Sequence, residues 1–411
     1  MRSAKRVVLA AAVAVAGPVA VAGPGDTLAT AIGNGRVTLD FRYRYEFADD
    51  EPFARDAHAH SLRSRLGFAP APLGDWRLFV EFDDVRHIGN DRFNDTRNGK
   101  VDRPQVPDPE GTDLNQFWLR YLGIDSLAIG FGRQRIERGR QRFVGGHGWR
   151  QNEQTFDSLS IDWTPPAPYR LSYAYIFSVN RIYGPERGAP ARDLDTRIHL
   201  LDGRWRFGPL LELGAFVYLM DFDNAPTLSN ATIGISADGA AALRSGWRLD
   251  YSLQFASQRD HGSSRVRFAA DYLLLEGRLH WQPWRASLAL GYEVLGSADV
   301  TGGGLRTPLA SLHRFQGWAD RFAAASSFGL NDGIRDLYFA AQWRWRNGEF
   351  QLRVHDFGSD RRSRDWGSEL DLSAAWTFRE RFRLLLKYAG FDAEEFGGDL
   401  SKFWLQFAAG F

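Results

Sequence analysis

RVTLDFRYRYEF, residues 36–47, decides how the chain is read. Val37, Leu39, Phe41, Tyr43, Tyr45 and Phe47 fall on one side of a two-residue alternation, and Arg36, Thr38, Asp40, Arg42, Arg44 and Glu46 fall on the other. A helix would scatter both sets around its axis, whereas a strand separates them cleanly. The same alternation returns in DWRLFVEFDD (75–84), RLSYAYIFSVN (170–180), GWRLDYSLQFASQ (246–258), RASLALGYEV (285–294), SELDLSAAWTF (368–378) and RFRLLLKYAGF (381–391). One face carries too many charges for a dry core, and the other is too regularly apolar for a face that meets water. That is the pattern of a transmembrane barrel, apolar toward lipid and polar toward the lumen.

The last ten residues, KFWLQFAAGF (402–411), alternate in the same way and end on Phe411. An apolar strand with an unpaired edge is an aggregation site. The last strand is therefore expected to pair with the first and to turn its apolar stripe to lipid. A terminal aromatic resembles the signal that barrel assembly machinery reads, which makes Phe411 the expected assembly signal.

Strands are expected near 36–47, 58–68, 75–84, 114–122, 126–135, 156–165, 169–180, 196–206, 210–220, 228–238, 246–257, 268–281, 285–296, 335–346, 349–357, 367–378, 381–392 and 401–411. The fold class is all-β, an antiparallel transmembrane barrel of about eighteen strands. Roughly ten residues at ~3.3 Å each, tilted ~40°, span about 25 Å, the height of the apolar band in such barrels. Short connections such as 123–125, 207–209 and 379–380 alternate with long ones such as 85–113, 136–155 and 297–334. Short periplasmic turns and long extracellular loops follow, with both termini periplasmic.

Arg2, Lys5 and Arg6, an apolar run over Val7–Ala16 and the small residues Ala20-Val21-Ala22 read as a signal peptide, residues 1–22, cleaved after Ala22. Residues 23–411 are then a single barrel domain. The chain has no cysteine, which excludes disulfides, thiolate metal sites and a lipid-modified N-terminal cysteine. Lys plus Arg (51) nearly equals Asp plus Glu (50), so no nucleic-acid partner is implied.

Arginines recur on the polar face, among them Arg42, Arg44, Arg63, Arg65, Arg120, Arg133, Arg135, Arg344, Arg353 and Arg383, together with carboxylates such as Asp40, Glu81, Asp83, Glu276, Glu293 and Asp371. A ring of guanidinium groups in a pore would line up anions. Equally, the two signs would pair and hold the lumen in shape. The densest stretch is GRQRIERGRQRFVGGHGWRQNEQTFD (132–157). It follows small residues, Ala128, Gly130 and Gly132, read as inward positions that leave room for a loop. A basic, glycine-rich loop there would form an anion-selective constriction, or else meet lipopolysaccharide phosphates from outside. Residues 90–108 look like half a calcium loop but lack the closing glutamate, so a solvated, turn-rich loop is expected. His147 and His313 are not accompanied by a nucleophile elbow and are read as hydrogen-bonded within their loops.

The 132–157 stretch resembles the signature of the alginate export family of outer-membrane barrels, and TPLASLHRFQGWADRF (307–322) resembles its second motif. The resemblance implies a monomeric eighteen-stranded channel; with no catalytic pair visible on a rim, no enzyme, cofactor or metal is expected. Its arginine-rich lumen would pass anionic polysaccharide or uronate-type oligosaccharide. It carries a lumen role to Arg133, Arg135, Arg142, Arg150 and Asp157, beside Arg42, Arg44, Arg65, Arg120 and Arg353 from the strand faces. Arg138-Gly139-Arg140 departs from the acidic or amide residue more usual there and adds charge. The other function in view is a general diffusion porin with weak anion selectivity. Expected partners are outer-membrane lipid and lipopolysaccharide, the assembly machinery and an anionic saccharide.

Overall fold

The computed structural model describes residues 28–298 and 303–411. The expected signal peptide and its cleavage point lie outside the described residues. A short helix, α1 (Leu28–Gly33), precedes the sheet, and its Ala31 carbonyl accepts the Ala71 amide at 2.9 Å. The strands are β1 (Arg36–Asp50), β2 (Ala57–Ala69), β3 (Trp76–His87), β4 (Gly111–Ile124), β5 (Leu127–Gln134) and β6 (Thr155–Trp163). They continue as β7 (Tyr169–Asn180), β8 (Asp193–Arg206), β9 (Glu212–Phe222), β10 (Asn230–Ala242), β11 (Trp247–Asp260) and β12 (Ala269–Trp281). The last six are β13 (Ala286–Leu295), β14 (Ile334–Trp345), β15 (Gly348–Gly358), β16 (Asp365–Phe378), β17 (Phe382–Ala393) and β18 (Leu400–Gly410). A second short helix, α2 (Ala323–Phe328), lies in the β13–β14 loop.

Every strand pairs antiparallel with its sequence neighbours, and β1 also pairs with β18, so the sheet is a closed barrel. Closure removes the edges that would otherwise aggregate. Phe411 is tied into the seam: its amide donates to Leu39 O at 2.8 Å, and the Leu39 amide donates back at 3.1 Å. Each expected strand is present. The short connections cluster at one end, here the turn end, and the long ones at the other, the loop end. Both described chain ends lie at the turn end, since Arg36 pairs with Ala69 beside the β2–β3 turn and Gly410 pairs with Asp40.

The outward face is apolar and uncovered by protein: Phe131, Ile233 and Leu290 are about three-fifths exposed, at 58%, 61% and 61%. At the turn end this face carries aromatic pairs, Trp76–Tyr121 (4.8 Å), Trp247–Trp281 (5.5 Å) and Trp343–Trp345 (5.2 Å). Amphipathic rings of this kind collect where lipid meets water.

The inner wall differs from the uniformly polar face that alternation implies. Toward the loop end, Ile198, Leu200, Phe216, Tyr218, Met220, Tyr272 and Leu274 point inward and are buried. They pack against Phe143, Val144, Leu305, Leu309, Trp318 and Phe322 of two loops that fold into the bore. Burying each large apolar side chain contributes about 1.5–3 kcal/mol. Part of the loop end of the lumen is therefore filled by an apolar core.

Candidate functional site

The β5–β6 loop, residues 135–154, enters the bore beside β5, where Ala128 and Gly130 leave the space. A Cβ on Gly130 would lie 2.7 Å from Ser160 Oγ. The loop is held by arginines that fan out to carboxylates around the wall. Arg135 meets Glu81 on β3 at 2.7 Å, Arg138 meets Asp202 on β8 at 3.2 Å, and Arg140 meets Glu276 on β12 at 3.1 Å. Arg142 meets Glu293 on β13 at 3.3 Å, and Arg150 meets Glu46 on β1 at 3.2 Å. The loop also carries its own anchor, Glu153, clamped by Arg65 (2.9 Å) and Arg135 (2.7 Å). Burial alone would raise the Glu153 carboxyl, but the two guanidinium groups outweigh it and hold the group well below the usual carboxylate range.

The β13–β14 loop, described over 296–298 and 303–333, lies alongside. The Gly145 amide donates to Leu309 O at 2.8 Å, within a parallel bridge of Val144 with Leu309. Its Gly-Trp-Ala-Asp run is a set of contacts. Gly317 has φ +77, and a Cβ there would strike the Glu369 carboxylate at 2.3 Å. That close approach lets the Trp318 amide donate to Asp371 (3.2 Å) and the Ala319 amide to Glu369 (2.7 Å). Asp320 accepts from Arg150 (2.9 Å) and from His313 Nδ1 (2.9 Å). His313 Nε2 in turn accepts from Lys387 Nζ at 2.6 Å. Lys387 lies over the rings of Trp318 (3.8 Å) and Trp149 (4.3 Å), an aromatic cage that compensates its burial. Burial and Lys387 push His313 well below its ordinary value against the pull of Asp320, so the ring is neutral with its proton on Nδ1. His147 is lowered to about 4, by burial and by Arg150. His313 is thus bonded within its own loop, as expected, and to the wall as well.

The candidate lumen residues divide into three groups. Arg42, Arg44, Arg142 and Arg150 are buried braces without surface for a solute. Arg42 Nε donates to Gln151 (2.8 Å) and its Nη1 to Gly148 O (2.9 Å), while Arg44 donates to Trp149 O (2.6 Å) and stacks on that ring. Arg65 and Arg135 are neutralised by Asp83, Glu81 and Glu153. Arg133 and Asp157 form a bidentate pair (2.7 and 3.0 Å), but the register corrects their expected place. They are cross-strand partners on the alternation of Phe131 and Leu159, not of Gly130 and Ser160, so they sit on the outward side near the rim. Arg120 and Arg353 remain on the inner wall without a carboxylate in salt-bridge reach among the described residues; Arg120 lies over Trp118 (5.1 Å) and Arg353 over Trp318 (5.4 Å).

Two further arginines of this kind escaped notice as site residues. Arg278 points inward on β12 and, among the described residues, its guanidinium donates to Ser287 Oγ alone, at 3.5 Å. Arg314 lies exposed on the β13–β14 loop, near enough to the Glu137 carboxylate, and then to Arg140 and Arg353, for their charges to act on it. Arg278 is polar against a mainly apolar strand, a signal the sequence did contain. The segment 90–108 is not an open, solvated loop. Its Asn94 and Asp95 side chains accept backbone amides of Thr96, Arg97 and Asn98, and Phe93 and Val106 are buried against Ala48, Ala57 and Ala59.

Comparison with known proteins agrees with this architecture. Residues 35–183 match the alginate export family, a span that holds the first motif and ends before the second. No curated protein matches the chain. Among solved structures, OccAB2 of Acinetobacter baumannii superposes with a TM-score of 0.74 at 15% identity, covering 93% of this chain and 99% of that one. OpdK of Pseudomonas aeruginosa, crystallised with vanillate, gives 0.69 at 12% identity over 92% and 99%. OccK9 of the same species gives 0.69 at 15% identity over 92% and 99%. At such identities the likeness is one of fold. The chain thus carries the alginate export family match over residues 35–183, on a closed eighteen-stranded barrel with the fold of outer-membrane porins.

Proposed function

We propose that the chain is an outer-membrane channel that passes anionic polysaccharide or uronate-type oligosaccharide. The supporting observation is the division of lumenal arginines. Most are matched by wall carboxylates and hold the inward loops. Arg278, Arg314 and Arg353 are left beside those loops with no carboxylate in salt-bridge reach among the described residues, exposed or half-buried. A planar, permanently charged fork suits a carboxylate, and several along one path would hand it on. The channel works as a monomer facing lipid and lipopolysaccharide, with both termini periplasmic.

The general porin with weak anion selectivity is favoured by a different observation, the near-complete pairing at Arg65, Arg135, Arg138 and Arg140, which leaves a small net field. Conductance in a planar bilayer under a salt gradient, with and without oligouronate, separates the two. Anion preference with blockade by the sugar supports the selective channel. A weakly selective current that ignores the sugar supports the general porin.

A further inference from the structure

At the turn end, the inner wall under β12–β17 opens into a recess of about 580 Å³. Arg285, Arg344, Arg346, Arg379 and Arg383 line it, against only two carboxylates, Glu349 and Glu380. Arg344 pairs with Glu349 at 2.7 Å. Among the described residues, the other four arginines have no carboxylate within salt-bridge distance, the reverse of the paired arginines that brace the loop end.

A second observation is independent of the recess. Arg285, Arg346 and Arg379 have φ of +52, +33 and +49, in the left-handed region of three turns, β12–β13, β14–β15 and β16–β17. Glycine or asparagine adopts that backbone with less strain, and tight hairpin turns favour them strongly. The corresponding positions of the β4–β5 and β10–β11 turns hold serines, Ser126 (+65) and Ser245 (+59). Arginine thus takes this conformation in three turns whose strands lie in one sector of the barrel, with Glu380 (+59) beside it in the third, and there it lines the recess. The backbone strain is common to all five turns; what distinguishes this sector is the arginine at the strained position.

The sector also leads somewhere. Glu349, Gln351 and Arg353 are successive inward positions on β15, so the same wall face leads from the recess at Glu349 to Arg353, which lies over Trp318. We propose that the recess is the site where a saccharide carrying several carboxylates is first captured at the turn end, before it reaches the arginines beside the inward loops. This rests on the channel reading above. A row of flexible, water-exposed arginines holds each carboxylate weakly and releases it readily, which suits capture and transfer better than tight storage.

The test uses the full barrel in a planar bilayer, with Arg285→Asn, Arg346→Asn and Arg379→Asn combined. Asparagine relieves the left-handed backbone, so the variant is expected to assemble at least as well as the parent. Because the chain has no cysteine, Ser264→Cys in the β11–β12 loop reports orientation by thiol labelling from one side. Oligouronate added on the turn side should block the parent with an association rate about 3- to 10-fold higher than the variant, the gap closing at high salt. Added on the loop side, it should block both equally. Equal turn-side rates for parent and variant would overturn the capture site and leave the channel reading standing. Absence of blockade from either side would remove the uronate reading and this one with it. Arginine-dependent blockade by polyglutamate but not by oligouronate would assign the recess to an acidic peptide and overturn the saccharide assignment.

Discussion

Arg150 of one inward loop donates to Asp320 of the other at 2.9 Å, deep in the barrel. This contact joins the two sequence motifs, 170 residues apart. Asp320 also holds His313 and lies 3.9 Å from Lys402, so one carboxylate ties both loops to β18.

Replacing Asp320 with Asn should therefore release both loops while the barrel persists. Breaking a buried pair from one side costs about 3–5 kcal/mol. Single-channel recordings should show larger and noisier conductance, and protease should cut within 303–333, with heat-modifiable migration unchanged. Quiet, parent-like current would argue against Asp320 as the tie.

The same cluster sets a pH dependence. His313 and His147 have folded values below the ordinary value of about 6.5. Their neutral packing is fully stabilising above that pH and is lost as pH falls toward the folded value, about 4 for His147. Asp320 is held well below its ordinary value by His313, Lys402 and Arg150 against its burial, so its contribution is lost only at still lower pH. Loop protection from protease or hydrogen exchange should fall between about pH 6.5 and 4, with the barrel strands unaffected. Protection that does not change across that window would contradict the neutral-histidine assignment.

Ion selectivity should follow which face an arginine occupies. Arg353→Glu is expected to lower anion preference in reversal-potential measurements. Arg133→Glu is expected to leave it unchanged, because Arg133 pairs with Asp157 on the outward side. If instead Arg133→Glu moves the reversal potential and Arg353→Glu does not, the register assignment is wrong.

Glu153→Gln frees Arg65 and Arg135 from a shared carboxylate. Anion preference should rise, and the β5–β6 loop should become more mobile because one anchor is gone. The reversal potential and current noise report the two effects separately.

Deleting Phe411 removes two backbone hydrogen bonds to Leu39 as well as the terminal ring. The yield of heat-modifiable barrel in the outer membrane should fall. An undiminished yield would mean that the seam closes without it.

The strands were legible because their two faces differ at every second residue, and the pairing of nearest neighbours follows from short turns. Arg133 shows where that reading stopped short. Taking Ala128, Gly130 and Gly132 as inward already puts residue 133 outward by parity, and the structure keeps that parity. The buried inner wall was also foreshadowed: in GAFVYLMDF (214–222) both faces are apolar, which a water-filled lumen does not explain. The loop contacts were not legible. Arg150 with Asp320, or Lys387 with Trp149, has no periodicity, and which arginine finds which carboxylate depends on how the loops fold into the closed barrel.

The seat for the β5–β6 loop straddles the closing seam. Arg42, Arg44 and Glu46 come from β1, while Gln406, which accepts from Arg44 at 2.8 Å across 362 residues, and Trp404 come from β18. The loop consequently has no complete seat until the first and last strands have met. Seating is therefore expected late in biogenesis, since it depends on the pairing most distant in sequence. A barrel that has not closed cannot hold its inward loop, and a seated loop marks a chain whose first and last strands have met.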